Sequence, residues 1–154
     1  MKVDRPRAQY DITVVGAGMV GASFARLLSR QLGESGYSIL VVEAVAAASI
    51  EQPSFDSRST AVSFGSAKIF QHMGVWDQLQ PSTTAIEEIR VSDQGHFGSA
   101  QLHSREHGQD ALGYVLENRQ LGAVLNPILL EAPELEYLCP ARISAAQPRQ
   151  NGMA

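Results

Sequence analysis

A chain of 154 residues can bury one domain's core and is too short for two full ones. With 44% hydrophobic residues, 18% charged residues and a formal net charge of -4, it excludes a disordered or collagen-like chain and offers no basic face for nucleic acid. One cysteine, Cys139, rules out an intrachain disulfide, suits a reducing cytoplasm and reads as a buried, inert thiol.

Residues 1–9 mix Lys2, Arg5 and Arg7 with Pro6 and read as a loose lead. The run Asp11-Ile12-Thr13-Val14-Val15 is β-branched and ends at Gly16, which predicts a short buried strand, far shorter than the roughly 20 residues of a membrane span. From Val20 the period turns helical, with Phe24, Leu27, Leu28 and Leu32 on the apolar side, Arg26, Ser29 and Arg30 toward solvent, and Gly33 as the stop. Ile39-Leu40-Val41-Val42, ending at Glu43, is the next strand, so the succession predicts a right-handed βαβ unit with parallel strands. Ala44 to Ser57 reads as a long exposed loop.

Ser59 to Met73 reads as a helix with Val62, Ile69, Phe70 and Met73 inward, stopped by Gly74, with Trp76 and Leu79 packed beneath. Ile86 to Asp93 alternates and, with Gln94-Gly95 and Ser99 to His103, predicts an antiparallel hairpin over about 86–103. Then come a strand at Tyr114-Val115-Leu116, a helix from about Asn118 to Leu130 closed by Pro133, a strand at Leu135 to Leu138, and a polar tail from Ala145. The fold class is therefore α/β, a Rossmann-like βαβ unit on a parallel sheet with a short antiparallel β excursion.

Gly16-Ala17-Gly18-Met19-Val20-Gly21 fits G-x-G-x-x-G and sits between a strand and a helix, where its mechanism requires it. Gly16 permits the tight turn, Gly18 clears the approach of a pyrophosphate, and Gly21 lets helix and strand lie close. The N–H groups at the helix start then face the phosphates. Glu43 stands at the end of the second strand, near the spacing of about 20 residues for an acid that accepts from a ribose hydroxyl. Ala25 and Leu28 extend the pattern as core residues, and Ala44 follows the acid directly. These residues suit FAD and NAD equally, because both present an adenosine ribose and a pyrophosphate.

Tyr10 to Glu43, Phe55-Asp56-Ser57-Arg58-Ser59-Thr60-Ala61-Val62, Met73-Gly74-Val75-Trp76, Val91 to Gly98 and Leu112 to Arg119 together resemble the N-terminal portion of the flavin-dependent aromatic hydroxylases of ubiquinone biosynthesis. The stretch Ser92-Asp93-Gln94-Gly95-His96 is most similar to the subgroup acting on 2-octaprenyl-6-methoxyphenol. The resemblance runs from about Tyr10 to Arg142 and implies FAD as cofactor. It implies Arg58 beside the FAD pyrophosphate and Arg119 reaching the cofactor from the other side. It also implies NAD(P)H as transient reductant, a prenylated phenol as substrate, and a cytoplasmic protein that associates with the inner-membrane surface or with other ubiquinone-pathway proteins. Read without it, Arg58 is a surface arginine paired with Asp56, and Arg119 a solvated first-turn residue.

Complete members carry a later Asp-Gly and a later Gly-Asp motif and a substrate domain. Neither motif occurs here, so residues 1–154 read as the N-terminal part of an FAD-binding domain, inactive alone. Two alternatives stay open: an NAD(P)-binding dehydrogenase domain with the same βαβ start, and a non-catalytic binding domain. No catalytic residue is assigned, since Ser63, Ser66 and Cys139 have no triad-like partners. His103 and His107 are four apart but loop-bound and lack a third ligand, so no metal is expected.

Overall fold

Two β-branched runs separated by a helical period pair as parallel strands, Ile12–Val15 (β1) and Ile39–Val42 (β2), joined by the helix Met19–Leu32 (α1). The structure, a computed structural model, describes residues 9–45, 56–150 and 152–153. After β2 come β3 (Ser59–Ser63), α2 (Phe64–Met73), α3 (Trp76–Leu79), β4 (Thr84–Ile86), β5 (Glu88–Ser92), β6 (Ser99–His103) and β7 (Gly113–Glu117). Helix α4 (Asn118–Glu131) and the strands β8 (Leu135–Leu138), β9 (Pro148–Arg149) and β10 (Gly152–Met153) complete the order. The chain divides into one unit of residues 1–54 with 125–154 and another of residues 55–124. The loose lead expected over 1–9 and most of the loop expected over 44–57 lie outside the described residues.

In the first unit the sheet order is β1-β2-β8, all parallel. Every residue of the central strand β2 is buried, as a parallel strand flanked on both edges requires. β1 departs from the expected buried strand: Val14 is buried, but Val15 is 68% exposed. Among the described residues, β1 is an edge strand, paired with β2 alone. Asp11 Oδ2 accepts from both the backbone N–H and the hydroxyl of Ser38, each at 2.7 Å, and so ties the starts of β1 and β2.

The apolar side expected of α1 is rotated. Its buried residues are Ala22, Ala25 and Ser29, while Phe24 is 52% and Val20 77% exposed. Small residues let the helix lie close to the sheet, while Leu27, Leu28 and Leu32 are half-buried and Val20 and Phe24 are turned to solvent. Ser29, expected at solvent, is buried and donates to Glu134 Oε2 at 3.1 Å. The stop falls where expected: α1 ends at Leu32, directly before Gly33, a 3₁₀ turn then covers Gly33–Ser35, and the left-handed residue after it is Gly36, φ 79°. Leu125 and Leu129 of α4 are fully buried and, with Ile39 and Val41, fill this unit's core, each contributing about 1.5–3 kcal/mol. The polar tail pairs with itself through β9 and β10.

The second unit corrects the helix expected over Ser59 to Met73. Ser59–Ser63 is a strand, and the helix begins only at Phe64. The alternation Thr60, Val62 fits a strand, and pairing with β7 over all five residues overrides the helical reading. Ser63 then caps α2, its Oγ accepting from the Ser66 N–H at 3.1 Å, and Gly74 ends it in the left-handed region. Ile69, expected inward, is 47% exposed, because the shortened helix buries Ala67, Phe70 and Met73. The antiparallel sheet runs β3-β7-β4. Trp76 and Leu79 are buried beneath it, and the Trp76 ring meets Tyr114 edge-on at 4.8 Å between centroids. The expected hairpin is β5 paired with β6, with Gly95 at φ 87° in its turn.

Candidate functional site

In the first unit, β1 ends against Gly16, whose N–H still continues the sheet by donating to the Val42 carbonyl at 2.8 Å. Gly16 then takes φ 94°, a conformation that disfavours any side chain, and the chain turns into α1. Gly21 packs directly on this turn: a Cβ there would lie 1.9 Å from the Gly16 carbonyl oxygen. Ala17 is buried between them, and Gly18 accepts the first helical hydrogen bond, from Ala22, at 2.8 Å. Met19 and Val20 form the first turn with Gly21, and that turn holds no acidic residue. Its N–H groups therefore keep their partial positive charge for an external anion.

Glu43 completes this arrangement. The residue is 8% exposed, and its Oε2 accepts from the Ala17 N–H at 2.6 Å while Oε1 accepts from the Val45 N–H at 2.8 Å. Its backbone is fixed on both sides: the N–H donates to the Leu138 carbonyl at 2.9 Å, and the carbonyl accepts from Ala141 at 2.8 Å. Ala44, half-buried, lies between the acid and Val45. Each carboxylate oxygen retains a second lone pair, so Glu43 can hold the loop and still accept from a ribose hydroxyl. Nearby on β8, burial first, and Cys139 second, push the Tyr137 hydroxyl far above its ordinary range. Cys139 is half-buried rather than buried, and its thiol donates to the Val45 carbonyl at 3.5 Å.

In the second unit, Arg58 and Arg119 come to neighbouring backbone positions. The Asn118 N–H donates to the Arg58 carbonyl at 2.8 Å, and the Arg119 N–H to the Asp56 carbonyl at 2.9 Å. Arg58 Nε also donates to Asp56 Oδ2 at 2.6 Å, which is the pairing expected of a surface arginine, and Arg119 Nε pairs with Glu117. Both guanidinium side chains are more than half exposed. The backbone N–H of Arg58 above all holds the Asp56 carboxyl below its ordinary value; desolvation opposes it, and the Arg58 guanidinium and then the Asn118 amide add to the lowering. Asn118 and Thr60 escaped the sequence reading; the only hint was that Asn118 stands at a helix start.

His103 ends β6 and sits 4.0 Å from Glu88 Oε2, while His107 closes a short 3₁₀ turn. Among the described residues, no group of three metal-ligating side chains comes together, and no helix is long and apolar enough to cross a membrane.

Comparison with known proteins gives this geometry its relatives. A sequence profile described as the FAD binding domain matches residues 9–139. The ubiquinone hydroxylase UbiL of Rhodospirillum rubrum is 28% identical over 94% of this chain and 32% of its own length. The mitochondrial ubiquinone biosynthesis monooxygenase COQ6 of Rattus norvegicus is 28% identical over 89% of this chain and 31% of its own. The chain thus spans about a third of the length of the curated relatives it matches. Pseudomonas aeruginosa PqsL, solved with 2-aminobenzoylacetate, shares the fold at TM-score 0.67 and 20% identity, over 93% of this chain and 36% of its own.

Proposed function

This chain belongs to the FAD-binding-domain family, and from that membership we propose that residues 1–154 are the N-terminal, cofactor-holding part of a flavin-dependent monooxygenase that hydroxylates a prenylated phenol in ubiquinone biosynthesis. One observation carries the reading: Glu43 Oε2 accepts from the Ala17 N–H at 2.6 Å, which joins the candidate ribose acceptor to the candidate pyrophosphate loop. Two features fit FAD's adenosine diphosphate half: a buried carboxylate at the strand end, and a turn that tolerates no Cβ at Gly21. FAD, reduced by NAD(P)H, supplies the oxygen chemistry when bound.

In this reading Gly16, Ala17, Gly18, Met19, Val20 and Gly21 form the pyrophosphate cradle: the N–H groups of the first helical turn face the phosphates, those of Gly16 and Ala17 hold the loop's shape through Val42 and Glu43, and no side chain stands at the closest approach. Glu43 accepts from the adenosine ribose, and Ala44 lines that end. Arg58 and Arg119 contact the cofactor with permanently charged, fork-shaped donors. No residue is assigned a proton transfer. The names of UbiL and COQ6 support a ubiquinone-pathway substrate. Alone, the chain is expected to hold FAD weakly and to turn over no NAD(P)H: among the described residues β1 is paired along one edge only, and Val15, Val20 and Phe24 are exposed.

Calorimetric titration of the 154-residue chain with FAD, ADP-ribose and NADH tests the proposal. FAD and ADP-ribose are expected to bind, and Glu43→Ala is expected to weaken both. A chain that binds NADH and ignores FAD would replace this reading with that of a dehydrogenase domain.

A further inference from the structure

The two arginines assigned to the cofactor differ in how they are held, and the difference points to residues with no role so far. An exposed ion pair contributes only about 0–1 kcal/mol and fixes no orientation by itself. Arg58 and Asp56 are such a pair by exposure, with side chains 69% and 37% accessible. Yet Asp56 is not free to turn. Its Oδ1 accepts from the Arg58 backbone N–H at 2.9 Å and from Asn118 Nδ2 at 3.4 Å, while Oδ2 accepts from Arg58 Nε at 2.6 Å. The Asn118 amide is anchored in turn, its Oδ1 accepting from the Thr60 hydroxyl at 2.5 Å.

From this relay, and on the FAD reading above, we propose that Asn118 is a positioning residue that sets the direction of the Arg58 guanidinium through Asp56, with Thr60 as its anchor on β3. An amide is the side chain this place requires. It accepts from Thr60 and donates to Asp56 at the same time, without adding a charge. A carboxylate at 118 keeps the acceptor but turns a like charge toward Asp56 and loses the donor. A leucine keeps the bulk and loses both. The same residue also acts through its backbone, since the Asn118 N–H holds the Arg58 carbonyl and the next N–H, that of Arg119, holds the Asp56 carbonyl. Asn118 therefore reaches Asp56 and Arg58 through both side chain and backbone, across sequence separations of 58 to Thr60 and 62 to Asp56.

The test uses the 154-residue chain with Asn118→Leu, Asn118→Asp and Thr60→Val, each checked for folding by thermal melting. Thr60→Val preserves shape and strand propensity, so it keeps the question answerable if a change at 118 unfolds the chain. The direct readout is hydrogen exchange at the Arg58 Nε–H by nitrogen-15 NMR, assigned by its loss in Arg58→Lys. Exchange is expected to quicken about ten-fold in the three variants, with the Ala17 amide unaffected. A second readout compares ligands: the FAD Kd is expected to rise about ten-fold while the AMP Kd stays constant, because AMP needs only the glycine loop and Glu43. Unchanged Arg58 Nε–H exchange in all folded variants overturns the positioning role. Faster exchange in a chain that never binds FAD leaves that role standing and overturns the FAD reading instead.

Discussion

A single hydrogen atom at position 21 lets α1 lie against the glycine turn. Replacing it by a methyl group places a Cβ 1.9 Å from the Gly16 carbonyl oxygen and 3.0 Å from its carbonyl carbon, both backbone atoms. Real Cβ contacts do not fall below 3.0 Å, so the turn and α1 must part by at least about 1 Å, and no flexible side chain can absorb the movement. Overpacking of this kind costs about 1–3 kcal/mol. In a chain of this size that lowers Tm by roughly 2–4 °C per kcal/mol. Helix propensity works the other way, since alanine is better than glycine inside a helix by about 0.5–1 kcal/mol. Gly65→Ala separates the two effects: in α2 its Cβ meets only Ser63 Oγ, at 3.7 Å, so it is expected to stabilise. Gly21→Ala is expected to destabilise and to weaken FAD binding at least ten-fold, about 1.4 kcal/mol or more. The assays are thermal unfolding followed by circular dichroism and calorimetric titration. If Gly21→Ala raises Tm as Gly65→Ala does, the close approach of helix and turn is refuted, and with it the phosphate cradle.

Glu43→Ala removes the acceptor of the Ala17 and Val45 N–H groups and is expected to cost about 1–3 kcal/mol in chemical denaturation, with loss of ADP-ribose binding by calorimetry. On α1, Phe24→Ser is expected to cost about 1 kcal/mol, since Phe24 is half exposed, whereas Ala25→Leu is expected to cost about 1–3 kcal/mol, since Ala25 is fully buried; urea unfolding reads both. Asp56 is held below its ordinary value of 3.8, so its tie to Arg58 is complete above that value and is lost as pH falls through the lower folded one. A carbon-13 NMR titration of the Asp56 carboxyl is expected to show a midpoint below 3.8 that moves up in Asn118→Leu.

What the sequence makes legible here depends on how far apart the deciding residues stand. The βαβ start is local. Strand, glycine turn, helix and acid follow one another within Ile12 to Glu43, and the structure places them as their order implies. The errors arise where a distant element decides. Ser59 to Ser63 looks like the first turn of a helix because Val62 is in phase with Ile69 and Phe70; it becomes a strand because Glu117 to Gly113 pairs with it. Gly113 records that pairing, since a Cβ there would lie 2.5 Å from the Val62 carbonyl oxygen, but a glycine before Tyr114 does not name its partner. On α1 the error is one of size rather than period. Hydrophobicity selects Phe24 and Leu28 as the core face, whereas the close approach required by Gly21 selects Ala22 and Ala25.

The same rule separates the two parts of the candidate site. In the glycine loop each residue type answers to a constraint of its own backbone, such as φ 94° at Gly16 or the closeness of Gly21, so the motif can be read from its letters. Arg58 and Arg119 have local partners, Asp56 and Glu117, but such pairs mark no function: an arginine on a loop and an arginine in a first helical turn are ordinary surface residues. What distinguishes them is the strand pair Ser59 with Glu117, which brings residues 56–58 beside residues 117–119 and lets one asparagine amide reach across to Thr60 and Asp56. A functional assignment for these arginines therefore cannot come from spacing and must come from the bracket that holds them. If Asn118→Leu leaves Arg58 as ordered as before, the bracket is only a consequence of the strand pairing, and the two arginines return to being a solvated surface pair.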